Sequence, residues 1–193
     1  MPKTKQFDEA AVLEKARNVF WKKGYNGTSM DELVKATGLS RSSIYDSFGD
    51  KHGLYMKALQ HYQQEKRQSL VEGIPSAFSS RKKIGWIFQN SIAQALCDRQ
   101  RKGCFMVNTT TELANIDSSM NKIVNANMEA MEEIFHTLVK EGQAAGDINK
   151  KFSARALARN LFSSFNGLTI IGQTRPDKEL LEDIAKVALS VLD

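Results

Sequence analysis

The chain has 193 residues, 41% of them hydrophobic and 25% charged, with three His and two Cys. That composition can bury a core without disulfides or metal, no apolar run reaches the roughly 18–20 residues of a membrane span, and the opening MPKTKQFDEA lacks the apolar stretch of a secretory leader. The net charge of +5 lies mostly in front, because residues 1–67 carry 12 Lys/Arg against 8 Asp/Glu and residues 68–193 carry 15 against 14; a polyanion partner at the N-terminal end and a cytoplasmic location are expected.

Apolar residues recur at helical spacing along nearly the whole chain. Val12, Leu13, Ala16, Val19 and Phe20 form one stripe, stopped at Gly24. Thr28 with Asp31 and Ser29 with Glu32 both have capping-box spacing, so a second, short helix starts there and ends at Gly38. Ser40 caps a third helix, Arg41 to Phe48, with Ile44 and Phe48 on one face. Gly49-Asp50-Lys51 opens a long fourth helix whose Leu54, Tyr55, Ala58, Leu59 and Tyr62 face inward, and Gly73-Ile74-Pro75 ends it.

Five further helices are predicted. They cover residues 82–97, then Cys104 to about Asn115, then a long helix capped by Asp117 or Ser118 and stopped by Gly142 or Gly146. Residues 153–173 and 177–192 follow, divided by Arg175-Pro176-Asp177. No stretch has the period-2 pattern of a strand. The fold class is all-α, about nine helices, with residues 1–50 as one domain and 51–193 as a second.

The second and third helices, joined by a short turn containing glycine, have the helix-turn-helix pattern. In that motif the N-terminal residues of the second helix meet base edges in the major groove. Here they are Ser40, Arg41, Ser42 and Ser43, small hydroxyls around one guanidinium suited to guanine. Tyr45 is placed for a phosphate, as are Thr28, Lys51 and His52 at or near helix starts. Lys3 and Lys5 form a basic arm for the backbone or a minor groove. Ser40 and Thr28 serve equally as ordinary caps, Tyr45 as a core residue and His52 as a solvated one.

The run Phe20, Gly24-Tyr25, Thr28-Ser29-Met30, Leu33, Ala36, Gly38-Leu39-Ser40, Ser43-Ile44-Tyr45, Phe48, Lys51, Leu54 resembles the N-terminal domain of the tetracycline-repressor (TetR/AcrR) family nearly position for position. The resemblance covers residues 12–54. It implies a homodimeric regulator that binds double-stranded operator DNA and whose variable C-terminal domain releases that DNA on binding a small molecule. Carried onto matched positions, it makes Thr28, Arg41, Ser42, Ser43, Tyr45 and Lys51 DNA contacts. Asp46 departs from the pattern, standing where many relatives carry an aromatic residue or His.

In the body, Trp86, Phe88, Phe105, Met106, Asn108, Met128, Met131 and Phe135 are candidates to line an effector cavity, since Met- and aromatic-rich stripes suit adaptable apolar sites. Core packing accounts for the same residues. Cys104 follows the basic run Arg99-Gln100-Arg101-Lys102-Gly103 at a helix start, a setting that favours thiolate character. Gly-Cys-Phe there resembles a subset of the family in which such a cysteine senses electrophiles or oxidants; a buried, inert thiol is the alternative. Cys97, within a helical stripe, is expected in the core. Leu157, Leu161, Ser164, Phe165, Leu168, Leu181, Ile184 and Val187, on the last two helices, are candidates for dimerisation through a four-helix bundle, with an intrachain core as the alternative.

No catalytic constellation, phosphate loop or metal-ligand spacing is present: the Cys97–Cys104 separation fits no zinc pattern, and the three His are scattered. No cofactor or enzymatic activity is expected. The competing functions are a helical small-molecule-modifying enzyme using Cys104 and a protein-interaction module.

Overall fold

The computed structural model describes residues 7–193. Among these, nine α-helices follow one another: α1 Glu9–Lys23, α2 Met30–Thr37, α3 Arg41–Phe48, α4 Lys51–Gly73, α5 Ser80–Cys97, α6 Phe105–Leu113, α7 Ser118–Ala145, α8 Ala154–Thr174 and α9 Lys178–Leu189, with a 3-10 turn Ser190–Leu192 at the end. No strand is present among the described residues, and none of their helices is long and apolar enough to cross a membrane.

Local chemistry sets most helix ends. Of the two possible boxes at the start of α2, the chain uses Ser29 with Glu32: the Ser29 hydroxyl accepts from the Glu32 amide and the Glu32 carboxylate accepts from the Ser29 amide. Thr28 is instead turned back toward α1, buried, its hydroxyl donating to the Gly24 carbonyl at 2.7 Å. Ser40 caps α3 through the Ser43 amide, Asp50 caps α4 through Gly53, and Asp117, not Ser118, caps α7. Gly146, at φ 77°, ends α7. Gly142 lies inside that helix and brings it against Ile148, whose side chain stands where a Cβ would be. The fifth helix starts at Ser80, two residues before the expected start at 82, because Ser79 provides the cap.

Two apolar clusters hold the helices together. The first joins Leu13, Ala16 and Phe20 of α1 to Leu33, Ile44, Phe48 and the inner face of α4, and it also takes Phe105, Met106 and Leu113 from α6 and Met120 from α7. The second joins Ile84, Ile87, Phe88 and Ile92 of α5 to Phe135, Leu138 and Val139 of α7 and to the inner faces of α8 and α9. Each large side chain buried in this way contributes about 1.5–3 kcal/mol. α6 therefore packs with the N-terminal helices on one side while its start opens toward α5, α7 and α8. Cys97 is exposed at the end of α5, contrary to the expectation that it lies in the core.

Candidate nucleic-acid interface and effector cavity

α2 and α3 are joined by Gly38, Leu39 and Ser40, with Gly38 in the left-handed conformation at φ 76° that a side chain disfavours. Thr37 fixes the turn, donating to the Leu33 carbonyl at 2.7 Å and accepting from the Leu39 amide at 3.3 Å. With Ile44 and Phe48 buried, the rest of α3 is turned outward: Arg41, Ser42 and Asp46 are exposed and Tyr45 is 46% exposed. Tyr45 is thus a surface residue, not part of the core. The Arg41 guanidinium reaches back to Asp31 of α2 at 2.6 Å, and the hydroxyls of Ser42 and Ser43 both meet that of Ser40, at 2.9 and 2.8 Å.

Other expected contacts are placed differently. Thr28 is only 2% exposed with its hydroxyl already bonded, and Ser29 is the exposed residue at the start of α2. The Lys51 ammonium donates to the carbonyls of Tyr25 and Thr28, both at 2.8 Å, and stands 4.3 Å from the centre of the Tyr25 ring. Its principal bonds tie the α1–α2 turn to the start of α4. His52 turns toward α7, its Nε2 lying 2.7 Å from Asp117 Oδ2. Lys3 and Lys5 lie outside the described residues.

Electrostatics reinforce the head. Hydrogen bonds from Lys23 and Ser29 hold the Glu32 carboxyl down at about 2. Asp117 is also held below its ordinary value, first by the Met120 amide at its own helix start and then by His52.

A cavity of about 520 Å³ opens between α4, α5, α6, α7 and α8. Of the residues expected to line it, Cys104, Met106, Met128 and Met131 do so. Phe88 and Phe135 are fully buried in the second cluster, their rings tilted at 60° to one another with centres 6.2 Å apart. Phe105 is fully buried among Trp21, Tyr55 and Tyr62, with ring centres 5.3–5.8 Å apart. Trp86 lies against Gly73, and the Asn108 amide is spent on the Lys102 carbonyl at 2.9 Å. The cavity wall is instead completed by polar residues, among them Asn90, Gln94, Asn127, Asn166 and Thr169, whose composition reads as surface in the sequence.

Cys104 occupies the cap position of α6 without a side-chain capping bond, and its sulfur accepts from the Tyr62 hydroxyl at 3.7 Å. Burial pushes the Tyr62 hydroxyl well up, which keeps the proton on oxygen for that bond. Next to it, the Lys102 carbonyl accepts from three donors: the Trp21 indole at 3.1 Å, Asn108 at 2.9 Å and Gln173 at 3.2 Å. Gly103, at φ 65°, permits this corner, since a Cβ there would strike the Gln173 side chain.

Two acids connect α6 and α7 to the helix-turn-helix. Glu112 accepts from the amides of Tyr25 and Asn26, at 3.0 and 2.9 Å, and Asp117 holds His52. Asp117 is readable in the sequence only as a cap candidate for α7, and Glu112 belongs to no motif. The available signal for Glu112 is an acid in the last turn of a helix, where the helix dipole opposes it unless remote amides compensate.

The candidate dimer residues divide by position. Leu157, Leu161, Leu168 and Leu181 are buried in the chain's own second cluster, because the most apolar stripe of each helix faces the intrachain neighbours. Phe165 lines the cavity. Ser164 and Ile184 are half-buried, Val187 is 70% exposed, and Ile170 is a further exposed apolar residue on α8. No cluster of His, Cys, Asp or Glu suited to a metal occurs among the described residues.

Residues 12–57 match the family model described as bacterial regulatory proteins of the tetR family, and residues 80–188 match the tetracyclin repressor-like C-terminal domain. The chain is 33% identical over 195 residues, covering 100% of both proteins, to the uncharacterized HTH-type transcriptional regulator YezE of Bacillus subtilis (strain 168). It is 28% identical to the HTH-type transcriptional repressor ComR of Escherichia coli (strain K12), covering 96% of this chain and 89% of that one. Among solved structures, a cysteine-substituted form of the TetR family regulator CifR, bound to 26-base-pair operator DNA, superposes with a TM-score of 0.83 at 25% identity, covering 99% of this chain and 100% of the other.

Proposed function

This chain belongs to the TetR family and is a DNA-binding transcriptional regulator, and from that premise we propose that it acts in the cytoplasm as a homodimeric repressor, not an enzyme, released from a palindromic operator by a small molecule held in the 520 Å³ cavity. The observation that carries this reading is the outward side of α3, where Arg41, Ser42 and Tyr45 stand clear of a buried Ile44–Phe48 face. On DNA, Arg41 leaves Asp31 for a base edge while Ser29, Ser40, Ser42, Ser43 and Tyr45 meet phosphates or bases. Lys51 contributes charge and holds the head in shape.

The cavity is linked to the head through α6. Cys104, Met106 and Thr110 of that helix border the cavity, and Glu112, two residues beyond Thr110, grips the turn after α1. An effector that displaces α6 therefore displaces the head. A coupling of only about 1–3 kcal/mol changes operator affinity roughly 5–150-fold. The exposed Ile170 and Val187, with Ile184 between turns of α9, supply the apolar surface for a partner copy, and symmetric pairing sets the two α3 helices about one DNA turn apart or a multiple of it.

Selection of bound duplexes from a random pool tests the reading. A palindrome is expected, with half-sites spaced by about one helical turn or a multiple. Enrichment of no sequence, or of an asymmetric one bound by a monomer, overturns it. The Cys104 thiol, which borders the cavity, allows an electrophile as effector; Cys104→Ser then abolishes release by that compound, whereas a reversible ligand still releases the variant.

A further inference from the structure

The charged groups around the cavity are unequally matched. Lys66, Arg67 and Lys102 line it, and Asp98 is the one carboxylate among the described residues that do so. Asp98 is already committed: its two oxygens accept from the amides of Gln100 and Gly103, at 3.2 and 3.0 Å, within its own loop. Glu65 borders only the smaller adjoining hollow and is paired with Arg17.

Two of the three cations converge on one aromatic pair. Trp21 and Tyr62 meet edge to face with centres 5.0 Å apart. The Lys102 ammonium stands 4.6 Å from the Trp21 ring, and the Lys66 ammonium stands 5.8 Å from the Tyr62 ring while donating to Gln94 at 2.9 Å. The Arg17 guanidinium lies over both rings, at 6.0 and 5.8 Å. These rings already carry the chain's own cations, so a cationic ligand would meet repulsion where it would otherwise stack.

The cavity also reaches the second apolar cluster, against which its lining residues Leu70, Ile134, Phe162 and Phe165 pack. Phe162 and Gln173 both line it and are eleven residues apart on α8, about 16 Å of helix rise. Gln173 bonds to the Lys102 carbonyl beside the cations, whereas Phe162, Phe165 and Ile134 line the cavity where it meets the second apolar cluster. Resting on the reading of this cavity as the effector site, we infer that its ligand is an organic anion with an elongated apolar body, the acid group held by Lys66 and Lys102 beside Trp21 and Tyr62.

Calorimetric titration of the full chain with decanoate, decan-1-ol and decylammonium, each below its aggregation concentration, tests the inference. The three probes share one chain and differ in charge. Decanoate is expected to bind about tenfold more tightly than the alcohol, as one partly desolvated charged hydrogen bond provides, and the ammonium most weakly. The double variant Lys66→Gln, Lys102→Gln is expected to lose that preference while binding the alcohol as the parent does. Equal affinity for all three probes, preference for the ammonium, binding of none, or a preference that survives the double substitution overturns the inference. Operator release, measured on the same samples, tests the regulatory reading separately. Charge-selective binding without release faults the effector role of the cavity and leaves the anion site standing.

Discussion

The helix-turn-helix and the corner between α5 and α6 are closed in opposite ways. In the former, each helix start is satisfied by a residue three positions away: Ser29 with Glu32, Ser40 with Ser43, Asp50 with Gly53. At the latter, Lys102 presents a carbonyl to side chains of α1, α6 and α8, and α6 begins at Cys104 with no side-chain capping bond. Local closure sets the starts of the head's helices from within the head, and Glu112 and Asp117 then tie that head to α6 and α7. Remote closure makes a corner whose geometry depends on three helices at once, so anything that enters among them is felt in all three.

The comparison is most severely tested at Phe105. This ring joins α6 to Trp21, Tyr55 and Tyr62 and is fully buried. Phe105→Ala is expected to cost about 3–5 kcal/mol in urea unfolding, since it opens a cavity within the first cluster. A loss below about 1 kcal/mol would mean that remote closure contributes little beyond an ordinary cap.

Arg41→Ala addresses the head alone. Operator affinity is expected to fall by about 1–3 kcal/mol, with discrimination relaxed at one base pair in each half-site. Unfolding should stay within about 0.5 kcal/mol of the parent, because the Arg41–Asp31 pair is exposed. Unchanged affinity and unchanged preference would remove Arg41 from base reading.

Lys51→Met sits where the two modes of closure meet, because its ammonium reaches from α4 to carbonyls before α2. Chemical unfolding should register a loss of roughly 1–2 kcal/mol as those bonds disappear. DNA affinity is expected to drop alike for all sequences and with a shallower salt dependence. A sequence-selective loss would instead make Lys51 a reader of bases.

The smallest effect concerns Glu32. Its folded value of about 2 lies below its ordinary 4.5, so its stabilising contribution is complete above the ordinary value and is lost as pH falls through that range toward about 2. Thermal melting as a function of pH should show Glu32→Gln converging on the parent in acid and separating from it above pH 5. Parallel profiles would mean that the carboxylate charge adds nothing to the box.

The same contrast decides what could be read in the sequence. Glycines at 24 and 38 and caps such as Ser40 announce themselves by type and spacing, and at α7 the sequence narrows the cap and the stop to two candidates each, so the helix order and the helix-turn-helix were legible. An amphipathic stripe marks an inward face and does not say which neighbour receives it. Leu157, Leu161, Leu168 and Leu181 look like a dimer seam and belong to the intrachain core, while Phe88 and Phe135 look like a pocket and are packed solid. Conversely Asn90, Asn127 and Asn166 look like surface and line a cavity. Contacts such as Glu112 with Tyr25 and Asn26, or His52 with Asp117, span 65 residues or more and carry no periodic signal.

Trp21 gathers several of these features in one side chain. Its ring forms part of the cavity wall, its face carries the Lys102 ammonium, and its indole donates to the Lys102 carbonyl. The chain has one other tryptophan, Trp86, which is outside the cavity and packs against Gly73. With Trp86 replaced by Phe, the emission colour of Trp21 would report the field and hydration at the junction of α1, α6 and α8. The protein thus carries a built-in optical probe at the point where occupancy of the cavity meets the first helix of the head.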